Sequence, residues 1–230
     1  MDATRGPLLL RTTFGLSVAV IAATLVGTVV GVVTALASDN IAMTIPVAQF
    51  WPSLYPTVNL TVPPTASITG GGLTQADVTI SGLALDVRLW LVGAYLLQGV
   101  TTVLVSIALA TLCSRLLRRD PFRAAMTIAA RTAAISVMIG GVGWQLCTGV
   151  AGALASQQAL TITGWTIDDA QVRGDDLANL GWPLPSTQFS VDLWPVWVGL
   201  AILAVTAAFR YGDILQHEND RLVRDTKGLV

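Results

Sequence analysis

The sequence is poor in most of the groups that do chemistry. Only 12% of its 230 residues are charged, it has one histidine and two cysteines, and three of its residues are tyrosine. A soluble domain of this size would carry about 25% charged residues, so the composition excludes an ordinary water-soluble fold. Thirteen Lys+Arg against fourteen Asp+Glu leave a net charge of -1, with no basic excess to hold a phosphate backbone, which excludes direct binding of nucleic acid. One histidine and two distant cysteines supply no metal-ligand cluster. What the chain has instead is 53% hydrophobic residues, and they are gathered into long runs.

Four runs lack Asp, Glu, Lys and Arg: residues 12–36, 89–112, 132–155 and 193–209. A hydrocarbon core of about 30 Å needs about 20 helical residues, so the first three span it, and the fourth does so when extended to residue 211. The expected order is a cytoplasmic N-terminus (1–11), a first span (12–36), an outer segment (37–88) and a second span (89–112). A basic cytoplasmic turn (113–131) leads to a third span (132–155), a second outer segment (156–192), a fourth span (193–211) and a cytoplasmic amphipathic tail (212–230). The first run has a rival reading. Arg5 and Arg11 precede it and Ala35-Leu36-Ala37 before Ser38 resembles a signal-peptidase site, but its apolar stretch far exceeds the roughly 7 to 15 residues of a signal peptide, which favours a retained helix.

Cations set the orientation, because Lys and Arg stay on the cytoplasmic side. Eleven of the thirteen flank one side of the runs, and only Arg88 and Arg173 lie on the other, so both termini are expected inside. Trp51, Trp90, Trp165, Trp182, Trp194 and Trp197 all fall in the outer segments or at the outer ends of spans, as interfacial indoles do. Twelve Arg to one Lys, with abundant Ala, Val and Gly, suits a high-GC bacterium and therefore a bacterial plasma (inner) membrane.

The outer segments total 89 residues, too many for plain connections. Period-two runs predict short strands: Ile41, Met43, Ile45 and Val47; Val58, Leu60 and Val62; Val78 and Ile80; Leu160 and Ile162; and Phe189, Val191 and Leu193. Pro46, Pro52, Pro56, Pro63-Pro64, Gly70-Gly71-Gly72, Asp168-Asp169, Pro183 and Pro185 separate them. The expected fold is an all-α transmembrane bundle of four helices in two hairpins, with a small β-rich extracytoplasmic cap built by both segments. An isolated hairpin is marginal in water, so each segment needs the other.

No nucleophile elbow, metalloprotease motif or phosphate loop is present. Gly70-Gly71-Gly72 reads as a turn, the Asp168-Asp169 and Asp175-Asp176 pairs as a solvated acidic loop, and Cys113 and Cys147, at different depths, as small buried hydrophobes. No catalytic, cofactor or metal residue is assigned. Three candidate contact sites remain. Ala23, Gly27, Gly31 and Ala35 recur every four residues and predict a close helix-packing seam. Gln98, with Thr102 on the same row, and Gln145 lie at similar depths on the second and third spans, which predicts a hydrogen-bonded interhelical pair, or else a polar cavity lining. At the cytoplasmic interface, Asp120-Pro121 reads as a helix start, with Phe122 turned to the membrane beside Arg118, Arg119 and Arg123. These residues, with Leu215, Gln216 and Asp220 of the tail, are candidates for contact with anionic lipid or a partner.

These cytoplasmic segments carry a family likeness. Arg119-Asp120-Pro121-Phe122, with Phe209, Gly212, Leu215, Gln216, Glu218, Asp220 and Val223 of the tail, resembles the bacterial membrane family called domain of unknown function 2975. The likeness covers about 30 residues, and the four-span layout agrees; Arg119 stands where that family often has Gly. The resemblance implies a multi-pass inner-membrane protein with no assigned activity, whose relatives are often encoded beside small helix-turn-helix regulators. By subtraction, the expected function is non-enzymatic: a membrane sensor, regulator or accessory subunit that works through membrane lipid and a protein partner in the membrane or at the tail. Intramembrane Asp, Glu, Lys, Arg or His normally marks an ion or proton path, and the four apolar runs have none. Transport or binding of a neutral or lipidic molecule is the alternative, with an intramembrane enzyme third, since Ser, Thr and Cys occur without a base beside them.

Overall fold

The computed structural model describes residues 5–51, 65–66, 69–117, 124–162 and 183–227. In chain order they form α1 (Arg5–Ala37), β1 (Asn40–Phe50), β2 (Leu73–Ser81), α2 (Leu85–Leu117), α3 (Ala124–Leu160) and α4 (Trp194–Lys227). Three helices are long and apolar enough to cross a membrane, through Leu10–Ala37, Leu85–Arg115 and Thr127–Leu160; the apolar stretch of α4, Trp194–Ala208, is shorter. The helices outrun the uncharged stretches. Lipid selects where charge is forbidden, whereas a helix ends only where its backbone groups find other partners, so α2 starts at Leu85 with Asp86 in its first turn, favourably placed against the helix dipole. The helical range of α4 likewise runs on through the tail to Lys227.

The chain divides into two compact units. The first comprises Met1–Val33, Val92–Leu146 and Val191–Val230. Its helices meet at glycines, where a side chain would not fit. A Cβ on Gly31 of α1 would lie 2.8 Å from the Tyr95 ring of α2, and one on Gly143 of α3 would lie 3.1 Å from Leu97. Gly99 receives Thr28, Gly140 receives Thr101, and Gly199 of α4 receives Met138. Without a hydrophobic force between helices in lipid, such close backbone approach is the main source of association. Large apolar side chains face outward, among them Leu16 at 65% exposure and Val26 at 65%.

The second unit comprises Thr34–Leu91 and Cys147–Ser190. β1 and β2 pair antiparallel, from Asn40 opposite Ser81 to Pro46 opposite Gln75, and again at Phe50 opposite Leu73. Ile41, Ile45 and Val47 of β1 are buried and Met43 half-buried, as their period-two spacing predicts. The register breaks after Pro46, whose ring removes a ladder donor. There β1 turns to another stretch of chain: Val47 bridges Pro185, and the Ala48 N–H donates to the Leu184 carbonyl at 2.9 Å. Gly71 between the strands has φ +98°, and a Cβ on Gly72 would lie 2.7 Å from the Phe50 carbonyl oxygen, so this turn requires glycine.

Two expected strands are therefore corrected. Leu160 closes α3, and Phe189, Val191 and Leu193 run outside any ladder. Pro183 and Pro185 lack the N–H groups that a ladder needs, so the segment from residue 183 gives β1 one bridge in place of a strand. Residues 58–62 and the acidic pairs at 168–169 and 175–176 lie outside the described residues.

Candidate functional site

Each unit is organised about a polar node built from a side chain and irregular backbone. In the first unit the node is Gln145 of α3. Pro195 stands in the first turn of α4, where a missing N–H costs nothing, but its ring would clash with the carbonyl four residues earlier in a longer helix. The chain before α4 must leave the helical path, and the peptide groups of Asp192 need partners elsewhere. Gln145 supplies both. Its Nε2 donates to the Asp192 carbonyl at 3.0 Å, and its Oε1 accepts the Asp192 N–H at 2.6 Å. A primary amide has the donor and acceptor of a peptide group, so one side chain does the work of a neighbouring strand. Nε2 also donates to the Gly141 carbonyl at 3.3 Å. Pro195 itself is fully buried, and a Cβ on Gly141 would lie 2.6 Å from it.

In the second unit the node has two parts. Arg88, in the first turn of α2, donates through Nε to the Leu83 carbonyl at 3.0 Å, and through Nη1 to the Leu36 carbonyl at 3.0 Å and the Ala35 carbonyl at 3.4 Å. A cation thus sits on the free carbonyls that end α1, where the helix dipole favours it. The Asp86 carboxylate accepts the Val87 N–H, while Gln158 of α3 accepts the Ala84 N–H at 3.1 Å and donates to Asp86 at 3.4 Å. Deeper, the fully buried Ser156 hydroxyl donates to the Pro46 carbonyl at 2.6 Å and accepts the Ser186 N–H at 3.2 Å. Ser156 thereby ties β1 and the segment from residue 183 to α3. Across the strands, the Thr44 hydroxyl donates to the Asp77 carboxylate at 2.5 Å.

The seam residues separate into two pairs. Gly31 packs on Tyr95 and Ala35 is 2% exposed, whereas Ala23 and Gly27 are exposed and nothing approaches Gly27 within 4 Å. At 3.6 residues per turn, a four-residue row drifts about 40° per step, so from Ala35 back to Ala23 it has turned about 120° off the contact face. Thr28, set against Gly99, takes the place expected for Gly27. The glutamines are also apart from the expected scheme. The described bonds of Gln145 run to Asp192 and Gly141, and Gln98 is exposed, with its carbonyl accepting the Thr102 hydroxyl at 2.9 Å. Equal depth is insufficient: Gln98 and Gln145 must also face each other, and no described bond joins them. Arg118, Arg119, Pro121, Phe122 and Arg123 lie outside the described residues. Leu215, Gln216 and Asp220 fall within the helical range of α4, their side chains undescribed.

Sequence reasoning missed Arg88, Ser156, Gln158 and Asp192 as organising residues. Arg88 alone left a signal, as an outer cation just before an apolar run. Five hydroxyls elsewhere in the helices are spent locally: Ser17, Thr101, Thr102, Thr111 and Thr206 each donate to the carbonyl four residues earlier. Among the described residues, no buried side-chain polar atom lacks a hydrogen-bond partner, and no three His, Cys, Asp or Glu residues are grouped to hold a metal. Comparison with protein-family models, with characterised proteins and with solved structures finds no match.

Proposed function

We propose that this chain is a four-span protein of a bacterial plasma membrane, with both ends cytoplasmic and a β-rich cap outside, acting as a non-enzymatic sensor, regulator or accessory subunit. The observation that carries this reading is how the polar groups of the helices are used. The apolar runs hold no Asp, Glu, Lys, Arg or His, and the hydroxyls of Ser17, Thr101, Thr102, Thr111 and Thr206 bond to carbonyls of their own helices. The Gln145 amide is occupied by the backbone before α4. A carrier of polar cargo or an intramembrane hydrolase needs polar groups aimed at a substrate path, and here they serve the fold. The working surfaces are then the cap, lipid-facing helix sides, the cytoplasmic turn and the tail; Arg119–Phe122 of the turn and the residues from Phe209 to Val223 carry the likeness to domain of unknown function 2975.

The test is purification from the native membrane under mild detergent, with the full chain and with a variant lacking residues 212–230. A stoichiometric protein partner that the shortened chain loses is the expected result. Recovery of a tightly bound small molecule, with no protein partner, would replace this reading by the transport alternative.

A further inference from the structure

We infer that the Ala37–Ser38 bond is a masked signal-peptidase site, and that Arg88 is the residue that keeps it closed, so that α1 remains as an anchor. The inference rests on the membrane reading above and goes beyond it to how the N-terminal segment is processed.

The sequence around this bond has the parts of a secretory signal: Arg5 and Arg11, an uncharged apolar run, then Ala35-Leu36-Ala37 with small residues at the two positions that such a peptidase reads. Extended peptide is the form in which a cleft can pair with substrate backbone, so cleavage needs residues 35–38 uncoiled and accessible. The structure holds them in the opposite state. α1 is helical through Ala37, and the Ser38 N–H continues the helical pattern by donating to the Thr34 carbonyl at 3.1 Å. Ala35, whose side chain would have to enter the protease, is 2% exposed. The carbonyls of Ala35 and Leu36, which a protease would have to engage, are taken by the Arg88 guanidinium at 3.4 and 3.0 Å. Arg88 is itself held in place, because its Nε donates to the Leu83 carbonyl at 3.0 Å and its neighbour Val87 is fully buried. Beyond the bond the chain enters β1 at Asn40 within two residues, so there is little slack through which residues 35–38 could be drawn out.

Removing the guanidinium frees both carbonyls and the last turn of α1 at once, while the small residues that a peptidase reads stay in place. The test uses the full chain with a different epitope at each end, expressed in a bacterium with an active signal peptidase. The native chain is expected in the membrane fraction as one species carrying both epitopes. Arg88→Ala is expected to yield, in addition, a species that carries only the C-terminal epitope and begins at Ser38 by N-terminal sequencing or intact mass. Arg88→Lys, which keeps the charge but loses the two-point reach, should yield less of it. Adding Ala37→Leu to Arg88→Ala should abolish the fragment, because a bulky residue blocks the peptidase.

Three results would overturn the inference: a native chain that already begins at Ser38, an Arg88→Ala chain that stays intact, or a fragment that persists with Ala37→Leu and so reports general unfolding. A native chain cut at Ser38 but still in the membrane would refute the inference and leave the membrane reading standing. Recovery of the chain outside the membrane would refute both.

Discussion

The two units are held by different kinds of contact. In the first, helices approach through Gly31, Gly99, Gly140, Gly141, Gly143 and Gly199, and the hydroxyls of Thr101, Thr102, Thr111 and Thr206 bond within their own helices. In the second, bonds that cross long stretches of sequence dominate: Arg88 to Leu36, Ser156 to Pro46, Gln158 to Ala84 and Thr44 to Asp77. The difference follows from backbone bookkeeping. A helix satisfies its own peptide groups and can associate by shape alone, whereas two short strands and a proline-bearing segment leave peptide groups open that other side chains must meet. Gln145 is the exception that supports the rule: its two described long-range side-chain bonds serve the only described stretch of the first unit that is not helical, just before α4.

The largest effect should come from breaking shape in the first unit. Gly140→Leu would drive a side chain into Thr101, which already occupies the space of a Cβ. Overpacking of this kind costs about 3 kcal/mol, and the expected outcome is a large fall in melting temperature or loss of the folded protein in detergent. Thr101→Ala in the same chain should recover part of the loss; no recovery would mean that the two helices are not held at this point.

A middle-sized effect should come from removing one polar node at a time. Ser156→Ala strands the Pro46 carbonyl and the Ser186 N–H, and Gln145→Leu strands both peptide groups of Asp192. Each is expected to cost about 2 kcal/mol in denaturant unfolding. Hydrogen exchange sharpens the comparison. Ser156→Ala should loosen residues 45–48 and 184–186, and Gln145→Leu should loosen residues 192–196. Equal loosening of all these residues by both variants would mean that the two units do not behave as separate bodies.

The smallest effects are controls on the same residue types. Gln98→Leu and Gly27→Leu alter exposed positions and should stay within about 0.5 kcal/mol of the parent, whereas Gly31→Leu must displace the Tyr95 ring and should cost measurably more. A double-mutant cycle of Gln98→Leu with Gln145→Leu should show no coupling beyond error. Equal effects of Gly27→Leu and Gly31→Leu would restore a seam that follows the four-residue row.

Much of this molecule follows from its sequence taken one segment at a time. Hydrocarbon excludes charge over a fixed thickness, so uncharged runs locate the long apolar helices without reference to what they touch. Alternation along Ile41, Met43, Ile45 and Val47 marks a strand with one buried face, and Gly70-Gly71-Gly72 marks the turn that brings β2 back. These are local or periodic properties. The same periodicity overreached at Leu160 and Phe189, because alternation says which face is buried and nothing about where the N–H and C=O groups go. Which glycine of a row meets a neighbour depends on helix drift and crossing, so Gly31 packs and Gly27 does not. Which backbone a side chain reaches depends on chain irregularities far away in sequence, so Pro195 decides the partner of Gln145, and the end of α1 decides the role of Arg88. A hydrogen bond needs position and direction together, and only the tertiary structure sets both.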